Sequence, residues 1–162
     1  MQADAHTIAV EQMRLGDHAL FFTAADLARL RRCLTDTARL AGLAEPRRSE
    51  FELAVHEVTG NAVQHGGGRG RARLWYADGA LRCRVTDDGP GFTDAAIPAA
   101  LPAPDFGEDG RGLWLARELS DRLDITGGAG GAIVTLEFQL AVTRRDTPGL
   151  ASAAAPGEPA RR

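Results

Sequence analysis

Apolar residues recur every three or four positions in the first half of the chain. Five of them are separated by steps of three, four, four and three: Leu27, Leu30, Leu34, Ala38 and Ala41. This is the spacing of one buried face of an α-helix. Thr23-Ala-Ala-Asp26 precedes the run and resembles a capping box, with Asp in place of the usual Glu or Gln. A helix is therefore predicted from Leu27 to a stop at Gly42.

A second helical pattern runs from Glu45 or Pro46 to Gln64. Its apolar positions again follow the helical period: Phe51, Ala54, Val55, Val58, Ala62 and Val63. Proline suits the first turn of a helix, because its missing N–H has no partner there in any case. The three glycines at 66–68 readily take the left-handed conformation that closes a last turn. The second helix should therefore end just before them.

Alternation of apolar and polar residues predicts the strands of a sheet. Leu81, Cys83 and Val85 alternate with polar neighbours, so one face of that strand should be buried. Strands are predicted at five places: within Arg14–Phe22, and at Arg71–Tyr76, Leu81–Thr86, Leu123–Ile125 and Ala132–Phe138. Asp78-Gly79 and the glycine-rich stretch 127–131 supply turns, and a third helix is predicted at Leu113–Leu119, after Gly110-Arg111-Gly112.

Three stretches lack a sustained period. Residues 1–12 are predicted to form a flexible arm, and residues 143–162, rich in Pro, Ala, Gly and Arg, a disordered tail. Between them, residues 13–142 form one predicted domain. Thr93–Asp109 is an irregular segment inside that domain, and a segment of this length is usually functional or disordered.

Composition places the chain among soluble globular proteins. It has 162 residues, 44% of them hydrophobic, and a formal net charge of −3, which fits one domain and gives no electrostatic case for nucleic acid. No apolar run approaches the ~20 residues of a membrane span, and no signal peptide is evident. Cys33 and Cys83 are isolated, which indicates neither a disulfide framework nor a metal site. A cytoplasmic location is expected.

All 19 basic residues are arginine, and the chain contains no lysine. An Arg- and Ala-rich genome can explain this bias without any function. A phosphate-binding P-loop nevertheless needs its lysine on the terminal phosphates. Any nucleotide must therefore be held by other means.

Polar residues line a second face of the Glu45–Gln64 helix. Glu57, Asn61 and His65 are spaced i, i+4 and i+8 and stack in one row. A carboxylate, a carboxamide and an imidazole in one row can act on one ligand. The same row can also be a solvated helix face, and this stretch alone favours that interpretation.

Two further glycine-bearing segments favour a ligand-binding role for this row of polar residues. Asp87-x-Gly89-x-Gly91 follows a predicted strand, and Gly110-x-Gly112-Leu113 opens a predicted helix. Each motif alone is weak, because short glycine patterns are common by chance. Their order behind the Glu57 row is much more specific.

The three segments together resemble the N box and the two glycine boxes of the GHKL ATPase superfamily, which includes gyrase, histidine kinases and MutL. Within it the chain is most similar to bacterial anti-sigma-factor serine kinases of the RsbW and SpoIIAB type, in their short actinobacterial form. The resemblance covers about Phe22 to Leu140. It implies the Bergerat fold, an α/β two-layer sandwich of a mixed, mainly antiparallel sheet with helices on one face.

The resemblance implies a site for ATP and Mg²⁺. Glu57 matches the general base, Asn61 the Mg²⁺ ligand, and Asp87 the carboxylate that accepts a hydrogen bond from the adenine amino group. The remaining candidates for nucleotide binding are His65, Gly89, Gly91, Gly110, Arg111, Gly112, Leu113 and Thr135. Glycines let the backbone approach the ligand closely. For several of these residues a structural role remains open: His65 can simply end the helix, Arg111 can be an exposed loop residue, and a strand threonine such as Thr135 needs no function.

The function implied is phosphorylation of a serine on a small STAS-domain anti-anti-sigma protein. The kinase would also bind a sigma factor or another regulator, and a homodimer is compatible with it. No direct contact with nucleic acid or membrane is expected. The alternative is a nucleotide-gated module that sequesters its partner without phosphoryl transfer.

An orphan histidine-kinase catalytic domain fits less well. Trp114 stands where histidine kinases usually carry a second glycine, and the 56 residues before Glu57 leave no room for a dimerising helical hairpin. Thr93–Asp109 corresponds to the superfamily's ATP lid. It is predicted to be mobile without nucleotide and to become ordered when the γ-phosphate engages Gly110–Gly112, because its prolines supply no hydrogen-bond donors. A permanently packed loop is the alternative.

Overall fold

A computed structural model describes residues 19–92, 97 and 111–141. The predicted arm at 1–12, the domain limits at 13 and 142, the tail at 143–162 and Gly110 lie outside these residues. So does the predicted lid at 93–109, apart from Ile97, whose side chain is buried with the core. The predictions for these segments stay predictions.

Five strands form one sheet in the order β1-β2-β3-β5-β4. Each of the four strand pairings in the described residues is antiparallel. The strands are β1 (Leu20–Thr23), β2 (Arg69–Ala77), β3 (Ala80–Asp87), β4 (Arg122–Gly128) and β5 (Gly131–Gln139). All five predicted strands are therefore present, and the β4–β5 hairpin is longer than its sequence pattern suggested.

Three helices complete the described fold: α1 (Leu27–Leu40), α2 (Arg47–Gln64) and α3 (Arg111–Leu119). The Asp26 carboxylate accepts hydrogen bonds from the backbone amide and the hydroxyl of Thr23, at 2.9 and 2.8 Å, just before α1 begins. α2 is the central helix, because it contacts α1, α3 and the three inner strands of the sheet. The predicted two-layer α/β sandwich is confirmed.

The core fills the space between the helices and one face of the sheet. Phe51 of α2 meets Phe138 of β5 edge to face, with ring centroids 5.3 Å apart. The periodic residues of α1 and α2 point into this core, as predicted, although Leu27, Ala41 and Val63 are only partly buried. Thr59 is fully buried as well, and its hydroxyl donates to the Val55 carbonyl at 2.7 Å, which satisfies a polar group that hydrophobic periodicity does not mark.

Neither cysteine is in a disulfide. Cys83 is fully buried in β3, and burial raises the pKa of its thiol to about 12, so the thiol is protonated and unreactive near neutral pH. In the described part of the chain, no helix has the length and apolar character needed to cross a lipid bilayer.

Arg47, the first residue of α2, ties the helices to the far end of the sheet. Its guanidinium pairs with Glu50 at 2.5 Å and Asp121 at 2.6 Å, and donates to the Leu119 carbonyl at 2.8 Å. It also lies 4.8 Å from the centroid of the Phe138 ring. The Arg47 side chain thus links the start of α2 to the end of α3, to the residue before β4 and to β5.

Replacing Arg47 with Met should lower the free energy of unfolding by about 2 kcal/mol, because charge-assisted bonds to partners fixed by the fold are lost together with a cation–π contact. Urea unfolding measures the loss. Arg48→Met is the matched control, since among the described residues Arg48 forms one ion pair, with the exposed Glu45, and its loss should change stability by less than about 1 kcal/mol. Equal losses in the two variants would contradict the role given to Arg47.

Candidate active site

The C-terminal end of α2 and the loop after β3 pack backbone against backbone. A Cβ atom on Gly66 would lie 2.5 Å from both the Asp87 Cβ and the Ala62 carbonyl oxygen. A Cβ on Gly89 would lie 2.6 Å from the Gly66 Cα and 2.8 Å from the His65 carbonyl oxygen. Only glycine fits at these two positions without displacement. The first two motifs therefore meet at one place.

Asp87 is the buried acid of this group, with 7% of its surface exposed. Its Oδ1 accepts hydrogen bonds from the backbone amides of Gly89, at 3.0 Å, and Ala132, at 3.2 Å. These two donors fix the rotation of the carboxylate. Within the described residues no protein group donates to Oδ2, which leaves that oxygen as an acceptor for a ligand.

The β4–β5 turn holds the Asp87 loop from the other side. A Cβ on Gly91, where φ is +75°, would lie 2.1 Å from the Gly128 carbonyl oxygen. A Cβ on Gly131, where φ is +119°, would lie 2.0 Å from the Asp87 carbonyl oxygen. From the sequence alone, the glycines at 127–131 are predicted only to form a turn. Their second role is to let that turn approach the nucleotide motif closely.

Gly91→Ala should disrupt this contact, because it adds both a steric clash with backbone and strain at a positive φ. We expect a loss of roughly 3 kcal/mol or more of stability, or local displacement of the Asp87 loop. Thermal unfolding and ATP titration together measure both effects. Gly130→Ala in the neighbouring turn is the control, since a Cβ there meets no atom within 4 Å. A harmless Gly91→Ala would show that the loop is not held this way.

The third motif lies against the first. A Cβ on Gly112, in the first turn of α3, would lie 2.3 Å from Glu57 Oε2 and 3.3 Å from its carboxyl carbon. The missing side chain at Gly112 thus makes room for the Glu57 carboxylate. Backbone N–H groups in the first turn of a helix lack intrahelical partners and favour anions. Glu57 is therefore held beside a surface suited to phosphate.

Asn61 lies on α2 between the residue that contacts Gly112, Glu57, and the turn that packs against Asp87. It is one turn beyond Glu57 on α2 and directly precedes Ala62, whose carbonyl borders Gly66 and Asp87. Its side chain is half-buried, and within the described chain its carboxamide bonds to no other residue. Asn61 and Asp87 thus belong to the same end of the fold, as the predicted site requires.

The other candidates fall into two groups. The His65 side chain is exposed at the end of α2, and its backbone amide donates to the Asn61 carbonyl at 2.8 Å. Arg111 begins α3 and is half-buried, whereas Leu113 is buried in the core and positions the helix through packing. The His65 carbonyl packs beside Gly89 and so has a structural role. Binding of phosphate by the Arg111 charge stays a prediction.

Thr135 does not lie at the candidate nucleotide site. It alternates with the buried Val134 and Leu136, so its side chain is on the sheet face opposite the helices. There its hydroxyl accepts a hydrogen bond from Arg84 Nε at 3.3 Å. The prediction for Thr135 is therefore corrected by strand alternation. From β5 it is Gly131 and Ala132 that reach the site, Gly131 by its close approach to the Asp87 carbonyl and Ala132 through its backbone amide.

The side chains at the site fit a metal ion that is bound mainly by the nucleotide and only slightly by the protein. Among the described residues, no group of three or more His, Cys, Asp or Glu side chains could hold a metal ion. Mg²⁺ is commonly bound by one or two protein oxygens together with phosphate oxygens and waters. The single neutral oxygen of Asn61 fits that role beside a nucleotide.

Comparison with known proteins agrees with this arrangement. A family model described as "Histidine kinase-like ATPase domain" matches residues 21–138. A Streptomyces coelicolor protein, signal transduction histidine-protein kinase AfsQ2, is 33% identical over 110 residues. That match covers 58% of this chain but only 20% of the length of AfsQ2.

A solved structure with a TM-score above 0.5 shares the fold at low identity. The RsbU and RsbW domains of Rv1364c from Mycobacterium tuberculosis match with a TM-score of 0.52 and 21% identity, over 78% of this chain and 33% of that one. The histidine kinase domain of the Erythrobacter litoralis EL346 blue-light activated histidine kinase matches with a TM-score of 0.47 and 23% identity, over 70% of this chain and 60% of that one.

Proposed function

The chain belongs to the histidine kinase-like ATPase family, and on that premise we propose that it is an ATP-dependent serine/threonine protein kinase of the anti-sigma-factor type. Its substrate would be a hydroxyl on a STAS-domain anti-anti-sigma protein. It would also bind a sigma factor or another regulator and act in the cytoplasm. ATP binding follows from the family, whereas the acceptor and the partners are proposals.

The observation that carries the proposal is the position of Glu57. Its carboxylate lies against Gly112 at the start of α3, one helical turn from Asn61. A general base must be within hydrogen-bond reach of the proton that it removes. A carboxylate beside a phosphate-binding surface meets that requirement for an attacking hydroxyl.

Each residue of the site would have a separate task. Asp87 Oδ2 would accept a hydrogen bond from the adenine amino group and so select adenine over guanine. The first turn of α3 would bind phosphate through its amides, and Glu57 would take the proton of the acceptor hydroxyl. Asn61 would hold Mg²⁺, which when bound neutralises charge on the transferring phosphoryl group.

Serine or threonine is favoured as acceptor by two features of this chain. The fold is shared with a structure whose description includes an RsbW domain. Trp114 also occupies a position at which histidine kinases usually have glycine. The related AfsQ2 is a histidine kinase, so a phosphorylated histidine is the competing acceptor that an experiment must distinguish.

Phosphotransfer to candidate partners tests the proposal. The protein is incubated with Mg-ATP and purified STAS-domain proteins, and the products are weighed as intact proteins by mass spectrometry. We expect an acid-stable phosphoryl group on one serine or threonine of the partner, and none on a partner in which that residue is alanine. An acid-labile product would indicate histidine. A nucleotide-dependent complex without any transfer would support the alternative, a module that sequesters its partner.

A further inference from the structure

The sheet face opposite the helices carries a concentration of arginine. Alternate residues of β1, β2 and β3 point to that face. Six of them, together called the arginine face, are Phe21, Arg69, Arg71, Arg73, Trp75 and Arg84. The strand register places Phe21 directly opposite Arg71, and Arg73 directly opposite Arg84. None of these residues belongs to the nucleotide site.

Among the described residues, three arginines of the arginine face have only weak counter-charges. Arg69 and Arg71 share one carboxylate, that of Asp88, at the long distances of 3.7 and 3.6 Å. Arg84 donates to a neutral acceptor, the Thr135 hydroxyl. The chain as a whole has a net charge of −3, so this excess is local.

The rest of the same sheet surface is organised differently. Arg82 is paired with Glu137 at 2.8 Å and Arg122 with Asp124 at 2.8 Å. On the arginine face, by contrast, the carboxylate nearest to Arg69 and Arg71 among the described residues is the distant Asp88.

The arginine face also has an apolar component. Phe21 is 63% exposed on this face, so an apolar side chain stands among the arginines. It borders a pocket of about 360 Å³ together with Thr23, Arg69, Arg71 and Asp88. A single apolar side chain with acidic neighbours would match this pocket in size and charge.

Trp75 holds two of the guanidiniums in place. The Arg73 and Arg84 guanidinium carbons lie 5.4 and 5.3 Å from the centroid of the Trp75 ring. Such cation–π contacts limit the rotamers of a long side chain. Less conformational entropy is then lost when an anion binds, which favours a preorganised interface.

We propose that the arginine face is a docking surface for an acidic segment of a partner protein. Carboxylates of that segment pair with Arg69, Arg71 and Arg84, since guanidinium and carboxylate groups match in geometry. One of its apolar side chains contacts Phe21 in the adjoining pocket. The proposal goes beyond the proposed kinase function and does not depend on phosphoryl transfer.

A protein fits this surface better than a nucleic acid does. A protein segment can offer an apolar side chain to Phe21 as well as carboxylates to the arginines, which a sugar-phosphate backbone does not. The Trp75 ring contacts two guanidiniums, whereas proteins that bind single strands stack bases on their aromatic rings.

The test uses a fluorescein-labelled peptide of alternating Glu and Asp with one central Leu, followed by anisotropy at physiological ionic strength. Arg71→Glu combined with Arg84→Glu should weaken binding at least about tenfold, which corresponds to about 1.4 kcal/mol. Arg122→Glu is the control, because it reverses one charge on the same sheet surface outside the arginine face. ATP affinity should be unchanged in all of these variants.

Phe21→Ser tests the apolar contact separately. It should weaken the peptide that contains Leu and leave an all-acidic peptide unaffected. If the double variant does not fold, Arg71→Gln replaces it, and amide shift changes in the unaltered protein should map to β1, β2 and β3. Equal peptide affinity in all variants would overturn the proposal. So would tighter binding of an oligothymidine of equal charge that is lost in the same variants.

Discussion

Glu57→Gln should lower the rate of phosphoryl transfer by roughly 10²–10⁴-fold, the usual range for a positioned general base, while ATP affinity changes little. Gln has the same shape and can occupy the space that Gly112 leaves open, but it cannot accept the proton of an attacking hydroxyl. Single-turnover transfer from Mg-ATP to the partner measures the chemical step. Calorimetric titration with ATP measures binding.

Glu52→Gln is the matched control, because Glu52 is an exposed carboxylate on the same helix. It should leave both transfer and binding at their original values. Loss of ATP affinity in step with the loss of transfer in Glu57→Gln would show that Glu57 supports the site structurally. Transfer at the original rate would remove Glu57 from the mechanism.

Asp87→Asn should weaken ATP binding by about 10- to 100-fold, or roughly 1.4–3 kcal/mol, and leave the fold intact. The amides of Gly89 and Ala132 both donate to Oδ1, so the Asn side chain will keep its oxygen at that position. Its NH₂ group then replaces Oδ2. A donor would face the adenine amino group, which is also a donor, and the acceptor is lost.

The neighbouring Asp88 supplies the control for this prediction. Its side chain is 54% exposed and makes only long contacts with Arg69 and Arg71, so Asp88→Asn should not alter ATP affinity. Thermal unfolding without nucleotide verifies that Asp87→Asn is folded under the titration conditions. A larger effect at Asp88 than at Asp87 would mean that the wrong carboxylate was assigned to adenine.

The helices and strands could be predicted because their signals are local. The apolar spacing of α1 lies within fifteen residues, and Asp78-Gly79 marks the β2–β3 turn directly. Helix α2 was found in the same way, although its start differs by about one residue because Pro46 precedes the first helical turn. The order of the three motifs then indicated where the site would be.

Contacts between distant segments could not be predicted from these patterns. The approach of Gly91 to Gly128 joins two turns that are far apart in the chain. No residue type in either turn indicates that it contacts the other. The hydrogen bond from the Ala132 amide to Asp87 uses backbone atoms, so no side chain marks it. Such pairs follow from the strand order, which places β3 beside β5.

The error at Thr135 had a different cause. The alternation of Ala132, Val134, Leu136 and Phe138 is visible in the sequence and assigns Thr135 to the opposite face. The resemblance to the family suggested a nucleotide-binding hydroxyl in this strand, but the two-residue period of a strand directs the Thr135 side chain away from the site. In this strand, alternation was the more reliable guide to side-chain direction.

The candidate site has no local folding unit of its own. It is assembled from the end of α2, the loop after β3, the β4–β5 turn and the start of α3, and these segments meet only in the folded chain. ATP therefore binds the folded state alone, and at 100 times its dissociation constant it adds about 2.7 kcal/mol to stability. Cellular nucleotide levels would then set the lifetime of the protein as well as its activity. A weakened variant such as Arg47→Met would be degraded sooner in cells depleted of ATP.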